Sequence, residues 1–290
     1  MVARERFELS SAAPESERTI VSLNYEKVRG VFVDWLKSKG YCARYSKDVV
    51  NYLDRYWVEV KQPIDVALLF ARVEQGRNHL IKSLRVFFNF CEVLGYGEDY
   101  LDRLRRALPK AEYGIDLRIP TEDDMIASLR KCQLIPIEYS ALYNLLCDSG
   151  LRMTEGICFI NEQRNFGQIN GFYRGALALF RGCKSAYFAH FSEYTAYLIS
   201  QVEKKLREDQ VSTYLGRLEF VNPKYIRKYV FDKMIELEIP ESVADFIQGR
   251  VATRIGAKHY LALARQASNF YPRYLKHAEK LRKRASNDQT

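Results

Sequence analysis

Apolar residues recur at helical spacing along almost the whole chain, and one stretch, from Gly171 to Phe191, departs from that rhythm. A chain patterned this way has few options: its helices must bury their apolar stripes against one another, and the β-rich interruption must pack on the same core. Val28, Val31, Phe32, Trp35 and Leu36 form a first stripe ending at Gly40, and Val49, Val50, Leu53, Tyr56 and Trp57 form a second. Pro63 opens a third helix through Val66, Leu69, Phe70 and Val73 toward Gly76, because proline suits a first helical position. The apolar run from Leu80 to Leu94 predicts a fourth helix stopped at Gly95, and a shorter one spans Tyr100 to Leu108.

Between Pro109 and Pro120 the chain is polar and broken, as a linker would be. With 290 residues available, the expected organisation is an arm over 1–18, a helical domain over 19–108, a linker over 109–119 and a second domain over 120–290. The second domain opens on Thr121-Glu-Asp-Asp124, a capping-box pattern, followed by a buried helix from Tyr139 to Cys147 that runs toward Ser149-Gly150. The runs Phe172–Phe180 and Ser185–Phe191 flank Arg181-Gly-Cys-Lys184, which reads as a hairpin turn. Helices then return: one capped by Asn222-Pro223, one from Pro240 to Gly249, one carrying Tyr260, and a basic last one beginning at Pro272. The fold expected is mainly α with a small β-hairpin or sheet in the second domain.

Forty-five Lys and Arg against 36 Asp and Glu leave a formal charge of +9, which favours a polyanionic partner, nucleic acid or an anionic membrane surface. No segment approaches the roughly 20 apolar residues of a membrane span, and the first residues lack the apolar run of a signal peptide. The expectation is an intracellular protein without a membrane partner. Cys42, Cys91, Cys132, Cys147, Cys158 and Cys183 are scattered, with no pair at zinc-ligand spacing, so they read as small buried hydrophobes and no metal site is expected.

Several charged residues stand in patterns that suit phosphate chemistry. Gly150-Leu-Arg152-Met-Thr-Glu155 spaces Arg152 and Glu155 so that, on a helix, the carboxylate orients a guanidinium fork; an exposed ion pair has the same spacing. Lys184 sits at the hairpin turn, with Arg181 across from it as a competitor. Lys224-Tyr-Ile-Arg227 follows the Asn222-Pro223 cap, Gly249-Arg250 lies further on, and Lys258-His-Tyr260-Leu261 places a tyrosine ten residues after Arg250. Tyr271 and Tyr274 are rival tyrosines.

Taken in order, these boxes resemble the catalytic half of the tyrosine recombinases. Lys-x-x-Arg, Gln-Gly-Arg and His-Tyr-Leu together resemble the integrases of archaeal fuselloviruses and related archaeal plasmids. The bacterial members carry His-x-x-Arg where this chain has Lys224 and Arg227. The resemblance implies a two-domain clamp on double-stranded attachment-site DNA, a homotetramer in the host cytoplasm, and strand cleavage through a 3′-phosphotyrosine without cofactor or metal. It assigns the nucleophile to Tyr260, the general acid to Lys184, phosphate stabilisation to Arg152, Lys224, Arg227 and Arg250, and a supporting role to Glu155. Two other readings fit the same residues: a type IB topoisomerase-like relaxase, and a DNA-binding architectural protein whose boxes are surface ion pairs.

Overall fold

The computed structural model describes residues 22–162, 165–181, 184–250 and 262–287, leaving aside the side chains of Phe180, Arg181 and Lys184. The expected N-terminal arm and the expected helix around Tyr260 lie outside the described residues. The chain divides into two compact units between Ile115 and Asp116.

In the first unit, α1 (Tyr25–Ser38), α2 (Ala43–Tyr56), α3 (Pro63–Ala71), α4 (Arg77–Val93) and α5 (Glu98–Arg106) follow in order. Helix α4 is apolar on more than one face, burying Leu80, Ile81, Leu84, Phe87, Phe88, Phe90 and Cys91, and so it forms the centre of this core. Tyr25, Phe32 and Trp57 pack on Phe87 with ring centroids 4.9–5.4 Å apart. The Arg29 guanidinium donates twice to Asp54 at 2.8 Å and the Tyr25 hydroxyl once at 2.8 Å, tying α1 to α2. Val31, expected in the first apolar stripe, is 60% exposed, because the buried face of α1 runs instead through Tyr25, Phe32 and Leu36.

The second unit contains α6 (Glu122–Lys131), a short 3-10 turn (Cys132–Leu134), α7 (Ile137–Ser149) and α8 (Met153–Asn161). A sheet of β1 (Phe166–Ile169), β2 (Phe172–Arg181) and β3 (Lys184–Phe191) comes next, then α9 (Glu193–Ser200), α10 (Glu208–Arg217), α11 (Pro223–Glu236), α12 (Glu241–Ile247) and α13 (Leu263–Asn287). The Thr121 hydroxyl accepts from the Asp124 amide, and the Asp124 carboxylate accepts from the Thr121 amide, which starts α6 where the sequence signalled it. Every residue of α7 from Ser140 to Ser149 is buried, so this helix forms the axis of the unit.

The sheet is antiparallel in the order β1-β2-β3, and β1 is a strand that apolar alternation did not signal. It joins β2 through Asn170 and Gly171, both at positive φ (49° and 82°), as a tight twisted hairpin requires. Register slips between Ala176 and Leu179, with Ala178 at φ 48°, and Arg181 pairs with Lys184 to close the second hairpin. Lys184 is thus the first residue of β3 rather than a turn residue.

The last helix also differs from expectation. Helix α13 runs without interruption from Leu263 through Pro272 to Asn287. Proline inside a helix costs about 3 kcal/mol. The apolar face of Ala267, Tyr271, Tyr274, Leu275, Ala278, Leu281 and Ala285, all buried, offsets it. Two hydroxyls reinforce the docking: Tyr271 donates to the Asp148 carbonyl at 3.1 Å and Tyr274 to the Cys147 carbonyl at 2.6 Å. Cys91, Cys132 and Cys147 are buried thiols, as the sequence suggested, whereas Cys42 is exposed. Among the described residues no helix is long and apolar enough to cross a membrane.

Candidate nucleic-acid cleavage site

The site is built where three chain reversals of the second unit meet. Helix α7 ends at Gly150 (φ 62°), the chain turns through buried Leu151, and Arg152 takes the cap position before α8. Arg152 is therefore not within a helix, as its spacing suggested, but at a helix entrance. Glu155, with only 9% of its side chain exposed, accepts from the Arg152 amide at 2.9 Å and from Nη1 at 2.6 Å. One carboxylate thus caps α8 and aims the guanidinium, which also donates to the Gly249 carbonyl at 3.0 Å.

Arg227 lies one turn into α11 and points back to the same place. Its Nη1 donates to the Gly150 carbonyl at 2.7 Å and the Gln248 carbonyl at 2.6 Å, while the Gln248 amide donates to the Arg227 carbonyl at 2.9 Å. Nη2 is buried with no partner among the described residues. Burial first, and the neighbouring Arg152 and Arg250 second, pull the Arg227 pKa down to about 9. A guanidinium stays charged over any ordinary pH range. The depression comes from burial and from like charge, and a bound anion would relieve the like charge.

Arg250 donates to Asp245 at 3.0 Å, and its guanidinium lies 4.5 Å from the Phe231 ring centroid. Gly249, at φ 71°, brings the chain against β3: a Cβ there would stand 2.6 Å from the Ala186 Cβ and 2.9 Å from its Cα. Ala186 is two residues along β3 from Lys184. Lys224 has 62% of its side chain exposed and reaches Asp116 at 2.7 Å, which raises its pKa. It is held protonated, as a donor and not a base.

A cavity of about 370 Å³ collects these groups, lined by Arg152, Met153, Thr154, Asn222, Pro223, Lys224 and Arg227 together with Glu208 and Ser212 of α10. The first turns of α8 and α11 both line it, and the Asn222 side chain caps α11 by accepting from the Lys224 amide at 2.9 Å. Two helix N-termini and two arginines facing one cavity favour an oxyanion such as phosphate. A larger cavity of about 710 Å³, between α6, α9 and α13, shares none of these residues. No group of His, Cys, Asp or Glu among the described residues could hold a metal ion.

Arg152, Glu155, Lys224 and Arg227 are thus brought together, Arg250 stands beside them, the Lys184 side chain is not described, and Tyr260 lies outside the described residues. The rival tyrosines are described: Tyr271 and Tyr274 are 0% and 1% exposed, engaged as donors, with pKa values raised well above the usual phenol by burial. Sequence reading gave no role to Gln248, whose 0% exposure and link to Arg227 make it part of the frame, or to Asp116. The Gln-Gly-Arg motif marked Gln248 by resemblance, but nothing local in it signals a buried side chain hydrogen-bonded to Arg227.

No curated protein matches the chain. Among solved structures, the integrase from mycobacterium phage Brujita aligns over 90% of this chain and 98% of its own, at 13% identity and a TM-score of 0.41. A profile of the family described as archaeal phage integrase matches residues 117–277, which is more than half of the 290 residues and contains every box of the site. With that span matched and the cationic boxes gathered in one mainly helical unit, the chain belongs to the archaeal phage integrase family, among the tyrosine-recombinase integrases.

Proposed function

We propose that this integrase is a site-specific DNA recombinase that breaks and rejoins strands through a covalent 3′-phosphotyrosine at Tyr260. The observation that carries this reading is the cavity lined by Arg152, Arg227 and two helix N-termini, with the Arg227 pKa pulled down to about 9 by burial and like charge. Such a site binds the non-bridging oxygens of a phosphodiester more strongly as their charge grows in the transition state. Arg152 and Arg227 grip those oxygens, Arg250 adds field, and Lys224 donates a hydrogen bond at the rim. Glu155 and Gln248 hold the two guanidinium groups in place.

In the reaction, the Tyr260 hydroxyl gives its proton to solvent as its oxygen attacks phosphorus, and the bond from phosphorus to the 5′-oxygen breaks. Lys184 delivers a proton to that oxygen, which leaves as a free 5′-hydroxyl. The phosphodiester energy is kept in the phosphotyrosine, so the 5′-hydroxyl of a partner strand reverses the step without a nucleotide cofactor. Burial of Tyr271 and Tyr274 supports Tyr260 as the nucleophile, since neither rival hydroxyl reaches a phosphate from its place against α7. The first unit serves as the core-binding domain on double-stranded attachment-site DNA, residues 120–290 as the catalytic domain, and four copies assemble for strand exchange inside the host cell.

Covalent capture of a nicked attachment-site duplex tests the reading. Wild-type protein should form a denaturation-resistant adduct in the presence of EDTA, and Tyr260→Phe should form none while still binding the duplex. Adduct persisting in Tyr260→Phe would move the nucleophile elsewhere, and no adduct from the wild type would favour the architectural reading.

A further inference from the structure

Asp116, the first residue of the second unit, gathers an unusual number of donors around one carboxylate. Lys224 Nζ lies 2.7 Å from Oδ2 and the Tyr225 hydroxyl donates to the same oxygen at 3.0 Å. Arg118 spreads its fork over both oxygens, Nε to Oδ1 at 2.9 Å and Nη2 to Oδ2 at 3.3 Å. Lys228 Nζ stands 3.6 Å from Oδ1 and also donates to the backbone carbonyls of Asp116 and Arg118, which pins this stretch of chain to α11. The Arg118, Lys224 and Lys228 cations all lie within 4.8–5.4 Å of the Tyr225 ring centroid.

Two of these cations differ from the rest. Lys228 has 27% of its side chain exposed and is tied to carbonyls, whereas Lys224 and Arg118 are 62% and 75% exposed. Each of the two holds the carboxylate from the solvent side, and Lys224 also lines the cavity beside Arg152 and Arg227. Exposed ion pairs of this kind are worth little to stability. A planar fork and an ammonium converging on two oxygens of one anion is, however, the arrangement that recognises a phosphate.

We propose that Arg118 and Lys224 form a phosphate subsite beside the cleavage cavity, filled by the Asp116 carboxylate in the free protein and by a backbone phosphate of duplex DNA in the complex. The proposal rests on the DNA-binding half of the function proposed above. Lys228 and Tyr225 keep Asp116 in place during the exchange, so the carboxylate remains next to the incoming phosphate and opposes it. Asp116 thereby weakens DNA binding and makes it less salt-sensitive than the two cations alone would.

The experiment follows noncovalent binding of full-length Tyr260→Phe protein to a fluorescent duplex oligonucleotide across a salt series. Each phosphate neutralised steepens the dependence of log K on log salt by about 0.9. Asp116→Asn should tighten binding and steepen this slope by up to that amount, which adds a loss of about 3.5-fold over a fourfold rise in salt. Arg118→Ala, a change at an exposed side chain that leaves the core intact, should weaken binding and flatten the slope by a similar amount. In an Arg118→Ala/Lys224→Ala background, Asp116→Asn should have a much smaller effect, because of the cations facing it only Lys228, tied to backbone carbonyls, remains. An equal effect of Asp116→Asn in that background would reduce it to general charge, and an unchanged slope in Arg118→Ala would remove the subsite. Covalent capture by the wild-type protein is scored separately: its failure alongside the expected salt response strikes the cleavage chemistry and leaves the subsite standing.

Discussion

Replacing Asp148 with alanine should unfold the second unit at a much lower temperature, although Asp148 belongs to none of the boxes. Its side chain is fully buried in α7, with Oδ1 accepting from Arg282 Nη1 at 2.6 Å. Oδ2 accepts from the Ser192 amide at 2.9 Å, the Ser192 hydroxyl at 2.7 Å and the Thr195 hydroxyl at 2.6 Å. One carboxylate thereby fastens the start of α9 and the end of α13 to the helix that leads into Arg152. Asp148→Ala strands the Arg282 guanidinium, only 12% exposed, with Nη2 already lacking a partner among the described residues and the Tyr194 ring centroid 5.9 Å away. Breaking a buried pair in this way costs about 3–5 kcal/mol. For a unit of this size each kcal/mol lowers Tm by about 2–4 °C, so the expected drop is roughly 6–20 °C. Arg282→Met should cost less, about 1–3 kcal/mol, because Asp148 keeps its three donors from α9. The double variant leaves no stranded charge and should melt above Asp148→Ala alone. Thermal unfolding of the full chain by circular dichroism decides it: a double variant as unstable as the sum of the singles would refute the stranded-charge reasoning.

Three further outcomes are expected. His190 is fully buried, its ring nitrogens have no partner among the described residues, and burial followed by repulsion from Arg174 lowers its pKa from 6.5 to about 3. With the folded value depressed, its contribution is whole above pH 6.5 and is lost as pH falls toward 3, about 2 kcal/mol by pH 5; urea unfolding of His190→Leu should lack that part of the acid sensitivity, and identical losses in both proteins would exonerate the histidine. Sulfate at ten times its dissociation constant should stabilise the protein by about 1.4 kcal/mol through the Arg152–Arg227 cavity. Scanning calorimetry should show this gain vanish in Arg227→Ala, and a gain that survives there would be ordinary salting of the surface. Gly249→Ala must hold φ 71° and drive its Cβ into β3 at Ala186, displacing the carbonyl that Arg152 grips; a loss of about 1–3 kcal/mol with strongly reduced covalent capture is expected, and wild-type behaviour would mean the turn is not under strain.

Helix starts and stops were legible because they are local. Pro63, the Thr121–Asp124 box and the Asn222-Pro223 cap begin helices for reasons confined to one turn of chain, and they begin them in the structure. Strand β1 was missed although Asn170-Gly171 is a strong hairpin signal, because Phe166–Ile169 is only partly covered and shows no alternation. Pro272 misled for the opposite reason: a local helix breaker was overruled by a buried face that only the packed unit supplies.

The same division holds for the candidate site. Composition and order of residues alone determined that cationic boxes exist and that they follow one another in an integrase order; the proposal of Tyr260 as nucleophile rests on the resemblance. What only the tertiary structure decided is how the cations are held. Beyond Glu155, which the spacing had offered, Arg152 and Arg227 are aimed by the carbonyls of Gly150, Gln248 and Gly249 and by the Gln248 amide. Lys224 is tied to Asp116 from more than a hundred positions away. Spacing along a helix reports which side chains share a face, but a carbonyl oxygen has no signature in sequence and a counterion need not be near in it, so these partners exist only once distant turns of chain have packed together.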